Sequence, residues 1–162
     1  MNLYVVLKVV HVAAVVMFLG NITVGILWKA IADQTQDAKI IAHTLRGIIL
    51  ADRVFTIPGA VLIVAAGIGT ALIGHIPFLS TGWVLWPIVL FIIAGIAFGP
   101  ISRLQRRLLA IAQSGAGAGT VDWNAYKQGS ASWNVWGMIA LVAPLIALVI
   151  MIAKPMLPAF HL

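Results

Sequence analysis

Cysteine is absent from the 162 residues, so the chain has no disulfide, no thiolate metal site and no covalent c-type haem attachment. Glutamate is absent too, and Asp33, Asp37, Asp52 and Asp122 are the only acids. With no Cys, no Glu and no serine next to a plausible base, nucleophilic catalysis has no support. Charge is scarce altogether: 9% of residues are charged, against about 25% in a soluble domain. Apolar residues fill the space instead, at 62% of the chain with a mean hydropathy of +1.10. That composition excludes a water-soluble globule and describes an integral membrane protein. The net charge of +6 comes from bases set beside apolar runs. It points to an anionic membrane surface and not to nucleic acid.

A hydrocarbon core about 30 Å thick needs roughly 20 apolar helical residues. Four stretches qualify, over residues 3–27, 54–73, 83–101 and 136–153. They lack the alternation of strands and are too long for a barrel. The first has no basic region ahead of it and exceeds the 7–15 apolar residues of a secretion signal, so it is expected to be an uncleaved span. Lys29, Lys39, Arg46 and Arg53 follow the first span, and Arg103, Arg106, Arg107 and Lys127 follow the third. The short connection near residues 74–82 has no base, and the C-terminal end has only Lys154. The positive-inside rule then predicts both termini outside and the two basic connections in the cytoplasm. The expected fold is an all-α, four-helix transmembrane bundle forming a single membrane domain.

The basic connections have pattern of their own. Ile40, Ile41, Leu45, Ile48 and Ile49 form an apolar stripe with Lys39, His43 and Arg46 between them, which predicts an amphipathic interfacial helix. Leu104, Leu108 and Ile111, opposite Arg103, Arg106 and Arg107, predict that the third span continues past Pro100. The run from Ser114 to Gly119 reads as a flexible linker. Gly95 and Gly99, and Gly67 and Gly69, are expected to let helices approach closely. Trp83, Trp86, Trp133 and Trp136 near the span ends suggest an interfacial aromatic belt.

Lys8 and His11 stand out because ionisable groups inside a span are costly and usually face protein. Their spacing of three puts them on one helix face. His11 is roughly 12 Å below the end of its span, too deep for easy contact with headgroups. A neutral imidazole there has three uses: ligating haem iron, ligating another metal, or hydrogen-bonding a neighbouring helix. Lys8 either snorkels to the headgroups or pairs with an anionic group of a ligand beside His11. His43, His75 and His161 sit at depths that do not match His11, which leaves it without an obvious second axial partner. Asp52 and Arg53 read as an anchor at a helix start, with a functional role as the alternative. Asn21, Thr23 and Asn134 are candidates for a polar cluster on the cytoplasmic side.

Three segments together carry a resemblance: LKVVHVAAVVMFLGN from Leu7, ADRVFTIPG from Ala51, and SWNVWGMIALVAPLIALVIMIAKP from Ser132. The chain resembles an uncharacterised bacterial family of small four-helix integral membrane proteins over nearly its whole length, and the resemblance implies a bacterial inner membrane. More distantly it is similar to HemJ-type protoporphyrinogen oxidases and the membrane part of CopD-type copper-resistance proteins. The shared features are Lys8, His11 and Gly20 in the first span, an acidic-basic step into a proline-bearing second span, and a closing Lys-Pro. In HemJ-type proteins the first-span histidine is implicated in haem b binding, and the resemblance implies that role for His11. Their third span opens with Trp, then His and Lys, whereas Trp83 to Phe91 has neither His nor Lys.

The expectation is therefore a haem b-binding membrane protein with a redox or electron-transfer role on a porphyrin- or quinone-like substrate. His11 is the expected iron ligand, with Lys8 and Lys154 near the propionates. The alternative is a non-enzymatic accessory or assembly subunit that packs against a larger membrane complex, or against its own copies, through Gly95 and Gly99 and the basic cytoplasmic face. Metal transport in the CopD manner lacks a Cys or a clustered Met/His pathway.

Overall fold

A computed structural model describes residues 2–118 and 120–160, and His161 lies outside the described residues. The chain forms a four-helix transmembrane bundle, with no strand among the described residues. Helix α1 spans Leu3–Thr35, α2 Ala38–Ala51, α3 Ile57–Ile73, α4 Gly82–Ala118 and α5 Trp123–Ala153. A π-helical turn, Asp52–Thr56, joins α2 to α3 in one continuous rod.

Each helix outruns its apolar stretch at the basic end. Past Ile101, α4 continues for roughly 25 Å. The break between α1 and α2 is short because its residues cap both helices. Gln36 takes a left-handed conformation with φ 50° and donates its amide to the Asp33 carbonyl. Asp37 then accepts from the amides of Lys39 and Ile40 at 2.7 and 3.3 Å. Asp122 caps α5 in the same way through the Ala125 amide at 2.9 Å. The π turn precedes Pro58, which has no N–H to continue an α-helical ladder; the Ile57 amide instead reaches back to the Asp52 carbonyl.

Helix α4 packs most extensively on α5, and α1 on α3, while α2 fills the space between α1 and α4 at the basic end. Ile41, Ala42 and Leu45 of α2 are buried there with Leu108, Ala112, Tyr126 and Trp133. Ile41, Leu45 and Ile48 of the apolar stripe thus face the other helices of the bundle, whereas Ile40 is exposed. Along α1 the residues facing the α2–α3 rod recur every three or four positions: Leu7, His11, Ala14, Phe18, Asn21 and Gly25. They meet Gly69, Gly67, Gly59, Thr56 and Ile48 in reverse order, as an antiparallel pair requires.

Three expectations change. Helix α4 runs through Ser114 to Ala118, so this part of the glycine-rich stretch is not a linker. Buried Gly115 allows it, because any side chain there would collide with Val121. Gly95 and Gly99 face open space, with nothing within 4 Å of a Cβ at either, and close helix contact falls instead to Gly59, Gly67 and Gly69. Trp133 is 3% exposed and belongs to the core, not to an interfacial belt.

Candidate functional site

Three polar arrangements interrupt the apolar helices. The first is His11, half-buried in the α1–α3 seam, with Nδ1 2.8 Å from the Ile63 carbonyl oxygen. A carbonyl only accepts, so Nδ1 carries the proton and the lone pair of the neutral ring is on Nε2. Gly67 makes this approach possible: a Cβ there would be 3.0 Å from Cε1 of the ring. Of the other residues expected beside His11, Lys8 is exposed on α1. Lys154 ends α5 in a left-handed conformation, with its ammonium 4.7 Å from the centre of the Trp83 ring. His11 is thus engaged with α3, while Lys154 is engaged with the start of α4.

The second arrangement is at the π turn. Asp52 is buried, and its Oδ2 accepts from Gln105 Nε2 of α4 at 2.9 Å. Its Oδ1 accepts from Thr56 Oγ1 at 2.8 Å and from Asn21 Nδ2 at 3.3 Å. Asn21 also donates to Thr56 at 2.8 Å. Three helical rods are thereby tied at one depth. Of the polar residues grouped from the sequence, Asn21 joins this knot. Thr23 bonds back to the Leu19 carbonyl at 2.8 Å, and Asn134 is exposed on α5. Gln105 escaped the sequence reading because it sits among the basic residues of an apparently solvated helix.

The third arrangement was also missed. Lys29, one of the bases that set the orientation, is 1% exposed. Its ammonium bonds Asp33 Oδ2 and Ser130 Oγ, each at 2.6 Å, and lies 4.9 Å from the Trp133 ring centre. Ser130 donates to the same Oδ2 at 2.9 Å, and the Tyr126 hydroxyl donates to Asp33 Oδ1 at 2.6 Å. The i,i+4 spacing of Lys29 and Asp33 was the available signal, but their partners on α5 are about a hundred residues away.

Two clefts open at the basic end. One, of about 230 Å³, lies beside Asp33, Trp123, Tyr126 and Ser130. The other, of about 350 Å³, lies between α1 and α2, with Trp28, His43 and Gly47 in its walls. Neither includes His11 among its lining residues.

A family model described as "Predicted integral membrane protein (DUF2269)" matches residues 5–155. The chain belongs to the DUF2269 family. The match takes in all four spans of this DUF2269 protein and every residue of the three polar arrangements. No curated protein and no solved structure matches it.

Among the described residues, no group of three or more His, Cys, Asp or Glu is placed to hold a metal ion. A bare metal would therefore lack ligands at His11. A porphyrin iron brings four nitrogens of its own and needs only an axial donor, which a single imidazole supplies. The DUF2269 protein meets that narrower requirement at Nε2, with the other ring nitrogen held by a backbone carbonyl as in metal-ligating histidines generally.

Proposed function

We propose that the protein binds haem b through His11 Nε2 and serves a redox or electron-transfer role toward a porphyrin- or quinone-like substrate in the membrane. The observation that carries this reading is the 2.8 Å contact of His11 Nδ1 with the Ile63 carbonyl oxygen, from which the tautomer follows. The Ile63 carbonyl holds the ring by Nδ1–H, orients it on the α1–α3 seam and leaves Nε2 basic. Gly67 keeps the ring seated by leaving room for it. Lys8, one helical turn nearer the membrane surface and exposed, supplies a cation for an anionic substituent of the ligand. Lys154 does the same only by leaving the Trp83 ring. When bound, haem would supply one-electron chemistry; the chain's own part is to orient one imidazole and surround it with apolar side chains.

The test is a dithionite-reduced minus oxidised spectrum of detergent-purified protein made with ample haem, together with a pyridine haemochrome assay. A b-type signal near one haem per chain, lost in His11→Ala and weakened in Gly67→Val, is expected. A colourless wild-type protein overturns the proposal. The second reading is an accessory or assembly subunit of a larger membrane complex. It is favoured by the open face at Gly95 and Gly99 beside exposed Ile88, Ile92 and Ile96. It predicts a colourless protein that crosslinks to a partner through position 95.

A further inference from the structure

The exposed bases at the basic end have no acid to pair with. Asp33 is held by Lys29, Ser130 and Tyr126, and Asp52 by Asn21, Thr56 and Gln105. Asp37 and Asp122 accept backbone amides at the starts of α2 and α5. Those are all the acids in the chain, and Lys29–Asp33 is the single ion pair among the described residues. Lys39, Arg46, Arg53, Arg103, Arg106, Arg107 and Lys127 are all exposed. On the α2 rod, Lys39, His43 and Arg46 are four and three residues apart and Arg53 follows seven residues on, so they lie along one face.

His43 belongs both to that stripe and to the cleft between α1 and α2. Apart from His43, Thr44 and Asn21, the cleft is lined by apolar residues, among them Val24, Trp28, Ile48 and Ala51. Its width comes from Gly25 and Gly47: a Cβ at Gly47 meets nothing within 4 Å. At its inner end the Asn21 amide is already directed at Thr56 and Asp52. Along α1 the cleft runs from Asn21 to Trp28, roughly 10 Å, and stops at the end of the apolar span, one residue before Lys29. Trp28 is 56% exposed at that boundary, where an indole suits the headgroup level.

We propose that this α1–α2 cleft is a binding site for an anionic phospholipid of the leaflet at the basic end. An acyl chain lies against Gly25, Gly47 and Ile48, and the phosphate faces His43 and Arg46. The ligand must be apolar along its body and negative at its head, which follows from the lining and from the unpaired bases. It enters sideways from the bilayer, because the cleft opens at the depth where the apolar stretch ends. An acidic peptide would have to reach the same depth from water. The proposal is independent of haem at His11, which lines no part of this cleft.

Native mass spectrometry of the full chain in detergent, with equimolar phosphatidylglycerol and phosphatidylcholine, tests it. One phosphatidylglycerol retained per chain, at least fivefold over phosphatidylcholine, is expected. Gly47→Leu fills the cleft and should abolish retention while helicity and melting temperature hold. Arg46→Gln should weaken it about fivefold, as befits one base near an anionic surface. Gly20→Leu, at an open position outside the cleft, serves as the control and should retain lipid as wild type does. Equal retention of the two lipids, undiminished retention in Gly47→Leu, or competition by glycerophosphate or polyaspartate as strong as by the lipid would overturn the proposal.

Discussion

The basic end and the far end of the bundle are built from the same four rods, yet they cohere differently. At the basic end α1, α2, α4 and α5 close around Leu108, Leu45, Tyr126 and Trp133, and two polar knots cross-link them. At the far end α3 packs on α1 alone, and among the described residues it makes no close backbone approach to α4 or α5. The core there is small: Ala14, Phe18, Leu19 and Ile63, with Phe91, Leu141 and Leu148 against it. The difference follows from the solvent. Past the apolar stretches the alternative to burial is water, so the helices close into a core as soluble ones do. Within the bilayer the alternative is lipid, as apolar as the core, so helices associate only where small residues or hydrogen bonds favour it. Gly59 and Gly67 provide the first on the α1–α3 seam, and His11 the second.

Substitutions can break or sharpen this contrast. The largest effect is expected from Asp33→Ala, which leaves the Lys29 ammonium buried without its counter-ion. A loss of about 3–5 kcal/mol should appear in denaturant titration of the detergent-solubilised protein; a loss below about 1 kcal/mol would mean that water already reaches the knot. Leu108→Ala, at a fully buried position, should cost about 3 kcal/mol. Ile63→Ala should cost less than half as much, because unfolding there exchanges protein contacts for lipid or detergent. Equal costs would erase the distinction between the two ends. Asn21→Leu and His11→Ala each remove interhelical hydrogen bonds and should cost about 1 kcal/mol or less. Gly95→Ala meets open space, so monomer stability should stay within about 0.5 kcal/mol. A clear destabilisation by Gly95→Ala would place a second copy of the chain on that face.

The spans, the helical continuation past Pro100 and the amphipathic character of α2 were all legible in the residues, because hydropathy and helical period are local properties. His11 was conspicuous because an ionisable group in an apolar run stands out, and the structure gives it a hydrogen bond to α3. Lys29 was not. It looked like one more base of a solvated connection, and its burial depends on Ser130, Tyr126 and Trp133 of α5. Gln105 was hidden in the same way among Arg103, Arg106 and Arg107, although helical rotation turns it inward and them outward. Trp133 shows the converse error: proximity to a span end suggested the membrane interface, but the bundle continues beyond that end and encloses it.

What the sequence determined by itself is the class of solvent each segment meets: four runs long enough to cross a bilayer, and bases concentrated at one end. Hydrophobic transfer and charge asymmetry act residue by residue and need no partner. What only the tertiary structure decided is which polar groups are occupied and which are free. Asp33 and Asp52 are engaged by knots whose members come from different helices, while Asp37 and Asp122 cap their own helices, and that leaves the basic stripe of α2 unpaired beside an apolar cleft. Pairing across helices depends on their register and rotation, which are set jointly by all the packed faces and are written in no single segment.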